Sequence, residues 1–179
     1  RYSKLSILVP VYNERYLVTE MLDRVRAAPL QDGLGREIVV VDDGSTDGTR
    51  ERLAAYAAEH EGAITLLLQE RNQGKGAAIA RAIEAATGDI ILFQDADLEY
   101  DPRDYPRLLQ PILDGDADVV YGSRFLPGGP RRALFFRHSL GNRLLTLLSN
   151  FFTDLYLTDM ETCYKAFRAS LLKSIPLRC

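Results

Sequence analysis

Between residues 6 and 121, short apolar runs alternate regularly with stretches of helical periodicity, and this alternation restricts the fold more than any other feature of the chain. Residues 6–11, 37–41, 64–68, 89–93 and 118–121 are apolar or β-branched runs of strand length. The run Ile38-Val39-Val40-Val41 is the pattern of a strand covered on both faces. Between the runs, residues 14–28, the stretch after Gly48 to about His60, 74–87 and 104–113 read as helices. In the first, Leu17, Val18, Met21, Leu22 and Val25 share one face. Successive strands separated by helices pair in parallel, so the expected fold class is α/β: a mostly parallel, Rossmann-like sheet with helices on both faces. The whole of residues 1–179 is expected to form one domain, with 46% hydrophobic and 26% charged residues, an ordinary globular balance.

Such sheets bind ligands beyond the carboxyl ends of their strands. Polar clusters follow the strands at that end: Asn13-Glu14, Asp42-Asp43, Asn72 to Lys75, Asp95-Ala96-Asp97 and Ser123-Arg124. They are expected to converge on one edge. Asp95 and Asp97 lie one residue apart just past the run Ile90-Ile91-Leu92-Phe93, where paired carboxylates are costly without a positive partner. Hard cations such as Mg²⁺ or Mn²⁺ take carboxylate oxygens and share phosphate oxygens, and Glu99 is placed to add a third oxygen. Read without context, the same triplet is also a solvated acidic loop ahead of Pro102. Asp42 and Asp43 at a strand end suit ribose hydroxyls or a base N–H, whereas Asp47 reads as a helix cap. Gly74-Lys75-Gly76 opens a helix whose free N–H groups favour phosphate, or is a plain glycine turn. It is not a Walker A loop, because no Gly-Lys-Ser/Thr follows at the required spacing.

Past about Pro127 the alternation stops. Gly128-Gly129-Pro130 leads into Arg131-Arg132, and Arg124, Arg137 and Arg143 lie close by in sequence. Guanidinium groups suit phosphate oxygens, although each of these arginines alone also fits a solvated basic face. The stretch 137–157 carries Leu140, Leu144, Leu145, Leu148, Phe151, Phe152 and Leu155. Its uncharged part, 144–153, is about half the roughly 20 residues of a spanning helix. It fits a helix pair covering the sheet, or a segment lying partly in a membrane interface. Asp159 follows, an acid able to serve as a general base or a helix cap. Residues 171–176 read as a short helix running into a turn, and the abrupt end suggests a C-terminally incomplete chain. No signal-peptide pattern begins the sequence. A net charge of −3 supplies no electrostatic argument for nucleic acid, and two cysteines form no disulfide framework, which fits a reducing, cytoplasmic compartment.

Taken in order, Val9-Pro10-Val11-Tyr12-Asn13-Glu14, Val41-Asp42-Asp43-Gly44-Ser45-Thr46-Asp47, Asn72-Gln73-Gly74-Lys75-Gly76 and Asp95-Ala96-Asp97 resemble the family 2 glycosyltransferases of the GT-A fold. Gly122-Ser123-Arg124-Phe125 and Asp159-Met160-Glu161-Thr162-Cys163-Tyr164-Lys165 are similar to the dolichyl/polyprenyl-phosphate mannose and glucose synthase branch. The resemblance implies metal-dependent, inverting transfer of a hexose from a GDP- or UDP-sugar to a lipid phosphate at the cytoplasmic face of a membrane. By the same resemblance, Pro10, Tyr12, Glu14, Val41 and Asp43 would hold base and ribose. Gly74, Lys75, Asp95, Ala96 and Asp97 would meet the diphosphate, with Asp95, Asp97 and Glu99 around Mg²⁺ or Mn²⁺. Arg124 would contact phosphate, Arg131 and Arg137 would serve the acceptor phosphate, and Asp159 would be base or acceptor-orienting group. Residues 1–125 would then form the nucleotide-sugar and metal half, and 126–179 the acceptor side. A soluble or polysaccharide acceptor, or nucleotidyl transfer with release of pyrophosphate, are the alternatives.

Overall fold

The computed structural model describes residues 2–125 and 136–176. The expected alternation is present: β1 (Lys4–Val11), α1 (Val18–Ala27), β2 (Gly35–Asp42), α2 (Thr49–Glu59), β3 (Thr65–Leu68), α3 (Lys75–Ala85), β4 (Ile90–Phe93), α4 (Tyr105–Leu113) and β5 (Val119–Tyr121) follow in turn. Beyond them come α5 (Phe136–Thr153), β6 (Lys165–Arg168) and α6 (Ala169–Ser174). The strands form one sheet in the order β3-β2-β1-β4-β6-β5. β3, β2, β1 and β4 are parallel, whereas β6 pairs antiparallel with both β4 and β5. The mixed, mostly parallel sheet thus matches the expected class, with β6 as the strand that the alternation does not announce.

Side-chain alternation along the central strands builds two cores. Leu5, Ile7, Val9 and Val11 of β1, with Ile38 and Val40 of β2, face Met21, Leu22, Leu53, Leu109 and Ile112 from α1, α2 and α4. Leu8, Val39 and Val41 face Ala78, Ala82 and Ile83 of α3 and Leu172 of α6. The uninterrupted β-branched run of β2 is therefore the signature of a strand with helices above and below. Small alanines along α3 let that helix lie close to the sheet.

A polar clasp sits between strands away from the carboxyl edge. Ser6 on β1 is fully buried beside Glu37 on β2, whose side chain is only 13% exposed. Glu37 accepts from the Ser6 hydroxyl, from the Thr87 N–H (2.8 Å) and hydroxyl (2.7 Å), and from Lys4 Nζ (3.0 Å). Ser6 Oγ in turn accepts from Gly88 N (2.8 Å). Burial pushes the Glu37 carboxyl up, but these hydrogen bonds outweigh it and bring it down to about 2. The clasp locks the end of α3 and the entry to β4 onto β1 and β2.

α5 runs against the usual pattern. Asn142 and Thr146 are buried, whereas Leu140, Leu144, Leu147, Phe151 and Phe152 are exposed, the two phenylalanines at 80%. The apolar stretch forms one helix with these side chains outward, not a pair laid over the sheet. Among the described residues, no helix is long and apolar enough to cross a membrane.

Candidate active site

The carboxyl ends of β1, β2 and β4 open onto a cleft of about 290 Å³. Pro10, Tyr12, Glu14, Asp43, Gly74, Lys75, Asp95, Ala96 and Asp97 line it, together with Val11, Asn72 and Ala78. Most of the residues singled out in the sequence are thus brought together. Asn13 helps to build the rim: it takes a left-handed conformation (φ 55°), donates its N–H to Ser45 Oγ (2.9 Å) and accepts from Thr46 N (2.9 Å). That link ties the end of β1 to the loop after β2, and it delays the start of α1 to Val18 instead of residue 14.

The two aspartates after β2 have separate tasks. Asp42 is buried and holds Arg50 through Nε (3.0 Å) and Nη2 (2.8 Å), pinning α2 to the sheet. Asp43 reaches the cleft side, where Oδ1 accepts from Gln69 Nε2 (2.6 Å) and Gln73 N (2.8 Å), and Oδ2 from Gly74 N (2.9 Å). It ties the loop before α3 to the floor of the cleft. Oδ2 retains capacity for a further donor. Gly44 must be glycine, since its φ is +74° and a Cβ there would lie 2.4 Å from the Arg71 carbonyl carbon. Asp47 caps α2 from outside, accepting from Thr49 N (3.0 Å) and Oγ1 (2.6 Å).

Around Asp95 and Asp97 the charges are unbalanced toward the negative. Lys75, at the start of α3, contacts Asp95 Oδ1 at 2.5 Å. Burial opposes its charge, but the hydrogen bond and charge of Asp95, aided by Asp97, hold its pKa above the ordinary value. Asp97 Oδ1 accepts from Glu99 N (3.0 Å). Its pKa is raised, first by burial and then by the charges of Asp95 and Glu99. Glu14 is raised for the same kinds of reason: burial, then the charges of Asp97 and Asp47. Such a carboxylate cluster stores repulsion that a cation or a proton relieves. Among the described residues, no three His, Cys, Asp or Glu side chains are gathered as a ready metal cage. The donor set Asp95 and Asp97 therefore fits a hard cation that takes its remaining oxygens from a ligand.

A second constellation forms where the segment after β5 meets α5 and the residues before β6. Arg124 grips Asp159 through its backbone N (3.1 Å), Nε (2.7 Å) and Nη2 (2.9 Å), and Asn142 Nδ2 donates to Asp159 Oδ1 at 2.7 Å. All the acceptor positions of the buried carboxylate are taken. Burial raises its pKa, yet the bonds from Arg124 and Asn142 prevail and hold it below the usual carboxylate range. Thr146 extends the chain, donating to Asn142 Oδ1 (2.9 Å) and accepting from Met160 N (3.2 Å). Gly122 passes so close to Tyr164 that an added Cβ would meet the Tyr164 Cβ at 2.9 Å, and its N–H bonds the Tyr164 carbonyl at 2.7 Å.

Val41, Arg131 and Arg137 are not among the described lining residues. Val41 is fully buried in the core under α3. Arg131 lies outside the described residues, and Arg137 falls in the first turn of α5. Gln73 lay within the Asn72–Lys75 cluster, whereas other participants were not singled out beforehand: Gln69 beside Asp43, Gln94 beneath the acidic loop, and Asn142 and Thr146 behind Asp159. For the last two a signal existed. Asn142, Thr146 and Asn150 recur every four residues, a polar stripe on one face of an apolar helix.

A Rossmann-like sheet with an acidic pair at the edge of this cleft defines the class of GT-A glycosyltransferases, to which the structural neighbours belong. The chain belongs to the family described as Glycosyl transferase family 2, whose profile matches residues 6–175. It is 34% identical over 171 residues to undecaprenyl-phosphate 4-deoxy-4-formamido-L-arabinose transferase of Pseudomonas aeruginosa, covering 96% of this chain and 49% of that protein. It is 36% identical over 126 residues to dolichol-phosphate mannosyltransferase of Pyrococcus furiosus, covering 70% of this chain and 34% of that one. Among solved structures, glucosyl-3-phosphoglycerate synthase of Mycobacterium tuberculosis, crystallised with Mn²⁺, UDP and glucosyl-3-phosphoglycerate, superposes with a TM-score of 0.70 at 28% identity over 97% of this chain and 59% of that one. The chain spans about half the length of the curated polyprenyl-phosphate arabinose transferase it matches.

Proposed function

We propose that this chain carries the catalytic domain of an inverting glycosyltransferase that moves a hexose, mannose or glucose, from a GDP- or UDP-sugar to a polyprenyl or dolichyl phosphate. The observation that carries the reading is the cleft itself, where Asp43, Lys75, Asp95 and Asp97 surround one space at the ends of β1, β2 and β4. In this reading Pro10, Tyr12, Glu14 and Asp43 receive the nucleoside, while Val41 supports them from the core. Gly74 and Lys75 approach the diphosphate at the start of α3. Asp95 and Asp97 would hold Mg²⁺ or Mn²⁺, with Ala96 between them, and Glu99 would turn toward them to add a further oxygen. The ion's chemistry would be to neutralise charge on the departing nucleoside diphosphate.

In the transfer, an acceptor phosphate oxygen forms a bond to the anomeric carbon as the bond from that carbon to the diphosphate oxygen breaks. A phosphate acceptor is already anionic, so no strong base is required. The four hydrogen bonds on Asp159 fit this chemistry: they favour a group that aims Arg124 at phosphate over one that collects a proton. Arg131 and Arg137 complete the acceptor side. The outward leucines and phenylalanines of α5 would rest on the cytoplasmic face of a membrane, where a lipid phosphate is found.

A soluble phosphate-bearing acceptor is the second reading, favoured by the likeness to glucosyl-3-phosphoglycerate synthase. The test is a panel of GDP- and UDP-hexoses, each offered with extracted polyprenyl phosphate or with phosphoglycerate, scored by labelled product and released nucleotide. Labelled lipid with release of nucleoside diphosphate is the expected result. Label only in phosphoglycerate would favour the second reading, and pyrophosphate release would replace both with nucleotidyl transfer.

A further inference from the structure

Directly beneath the acidic loop lies a polar side chain that no step above uses. Gln94 follows β4 and precedes Asp95, and it is fully buried. Its Oε1 accepts from the phenols of Tyr105 (2.7 Å) and Tyr164 (2.9 Å), and its Nε2 donates to the Asp95 carbonyl at 2.9 Å. Its backbone N–H bonds Leu8 O of β1 at 3.0 Å. Two phenol donors on one oxygen set the amide's orientation, because the reversed amide would turn its carbonyl toward the Asp95 carbonyl. Tyr105 is fully buried and Tyr164 nearly so.

A core that needed only packing would be served as well by an apolar side chain at this place, since polar groups give little net stability there even when fully bonded. The triad instead connects particular parts. Tyr105 belongs to α4, and Tyr164 to the segment that begins at Asp159, the partner of Arg124. The same segment touches the acidic loop's flank again, where Cys163 N donates to the Tyr100 hydroxyl at 3.0 Å. We propose that Gln94 is a positioning residue: it fixes the Asp95 backbone, hence the spacing of the Asp95 and Asp97 carboxylates, and Tyr164 ties that setting to the Arg124–Asp159 pair. The inference rests on the proposed metal-dependent donor binding. Residues that orient ligands from behind commonly govern affinity for the ion without touching it.

The test measures binding of GDP and of UDP by calorimetry across a Mn²⁺ titration and without metal, in wild type, Gln94→Met and Tyr164→Phe, with urea unfolding alongside. Gln94→Met is expected to raise the Mn²⁺ concentration for half-maximal enhancement about tenfold, and to leave metal-free nucleotide binding within about twofold. Tyr164→Phe, which keeps the ring and loses one hydroxyl, is expected to move the Mn²⁺ requirement in the same direction by less, and it decides the matter if Gln94→Met does not fold. An unchanged Mn²⁺ requirement in folded variants, with only a lower unfolding midpoint, would overturn the inference and leave Gln94 a packing residue. No Mn²⁺ enhancement in wild type with either nucleotide would overturn the donor-site reading itself.

Discussion

Replacing Glu37 by glutamine removes the charge at the centre of the clasp that joins β1, β2 and the end of α3, while keeping the side chain's size. The carboxyl is held at about 2 in the fold, against an ordinary 4.5. That gap corresponds to about 3 kcal/mol of stability, at about 1.4 kcal/mol per pH unit. Because the folded value is the lower one, the contribution is complete above pH 4.5 and is lost as the pH falls toward 2. At pH 3 about 1.4 kcal/mol remains, so the gap between wild type and Glu37→Gln should narrow by about 2 kcal/mol between pH 7 and pH 3. Urea unfolding followed by circular dichroism at both pH values reads this directly, as a convergence of midpoints by roughly 1 M. A stability difference that stays the same at pH 7 and pH 3 would refute the reasoning, since the cost of the substitution would then be packing and not charge.

Asp97→Asn is expected to abolish the Mn²⁺-dependent part of nucleoside diphosphate binding with an unchanged circular dichroism spectrum; an unaltered Mn²⁺ titration would remove Asp97 from the metal site. Asp43→Ala should weaken nucleotide binding with and without metal, and should lower stability by about 2 kcal/mol because the donors Gln69, Gln73 and Gly74 lose their acceptor; a loss seen only with metal would place Asp43 at the diphosphate. Gly44→Ala should cost at least about 2 kcal/mol, given the left-handed backbone and the Arg71 main chain behind it, and an unfolding midpoint equal to wild type would contradict that geometry. The chain should co-sediment with anionic liposomes at low salt, less so at high salt, and poorly when Phe151 and Phe152 are both changed to serine; a chain wholly in the supernatant at low salt would mean that α5 has no affinity for the membrane surface.

The cleft was legible in the sequence because its cues are local. A strand that runs out just before Asp95 or Asp43 places that residue at the carboxyl edge whatever the rest of the chain does, so the convergence of Glu14, Asp43, Lys75 and Asp97 followed from alternation alone. The Arg124–Asp159 side was less so, because its geometry depends on contacts between distant residues. Lys165-Ala166-Phe167-Arg168 has charged ends and only four residues, and it becomes a strand because β4 and β5 leave a gap it fills. Asp159 was visible as an acid, but its saturation by Arg124 and Asn142 was not, since those partners lie 35 and 17 residues away. Gln94 gave no signal at all: a glutamine beside two aspartates reads as surface, and only the tertiary fold buries it between two tyrosines.

The place of β6 also sets an order of events in time. β6, the last in sequence of the described strands, occupies an interior lane of the sheet, so β5 gains its described partner only when residues 165–168 arrive. While the chain is being synthesised, β1 to β4 can assemble as soon as they emerge, but β5 must wait, its edge open, for a segment more than 40 residues later. The Arg124–Asp159 pair likewise waits for a residue 35 positions later. The cleft at the ends of β1, β2 and β4 can therefore assemble first, and the Arg124–Asp159 side, proposed to meet the acceptor, forms after it.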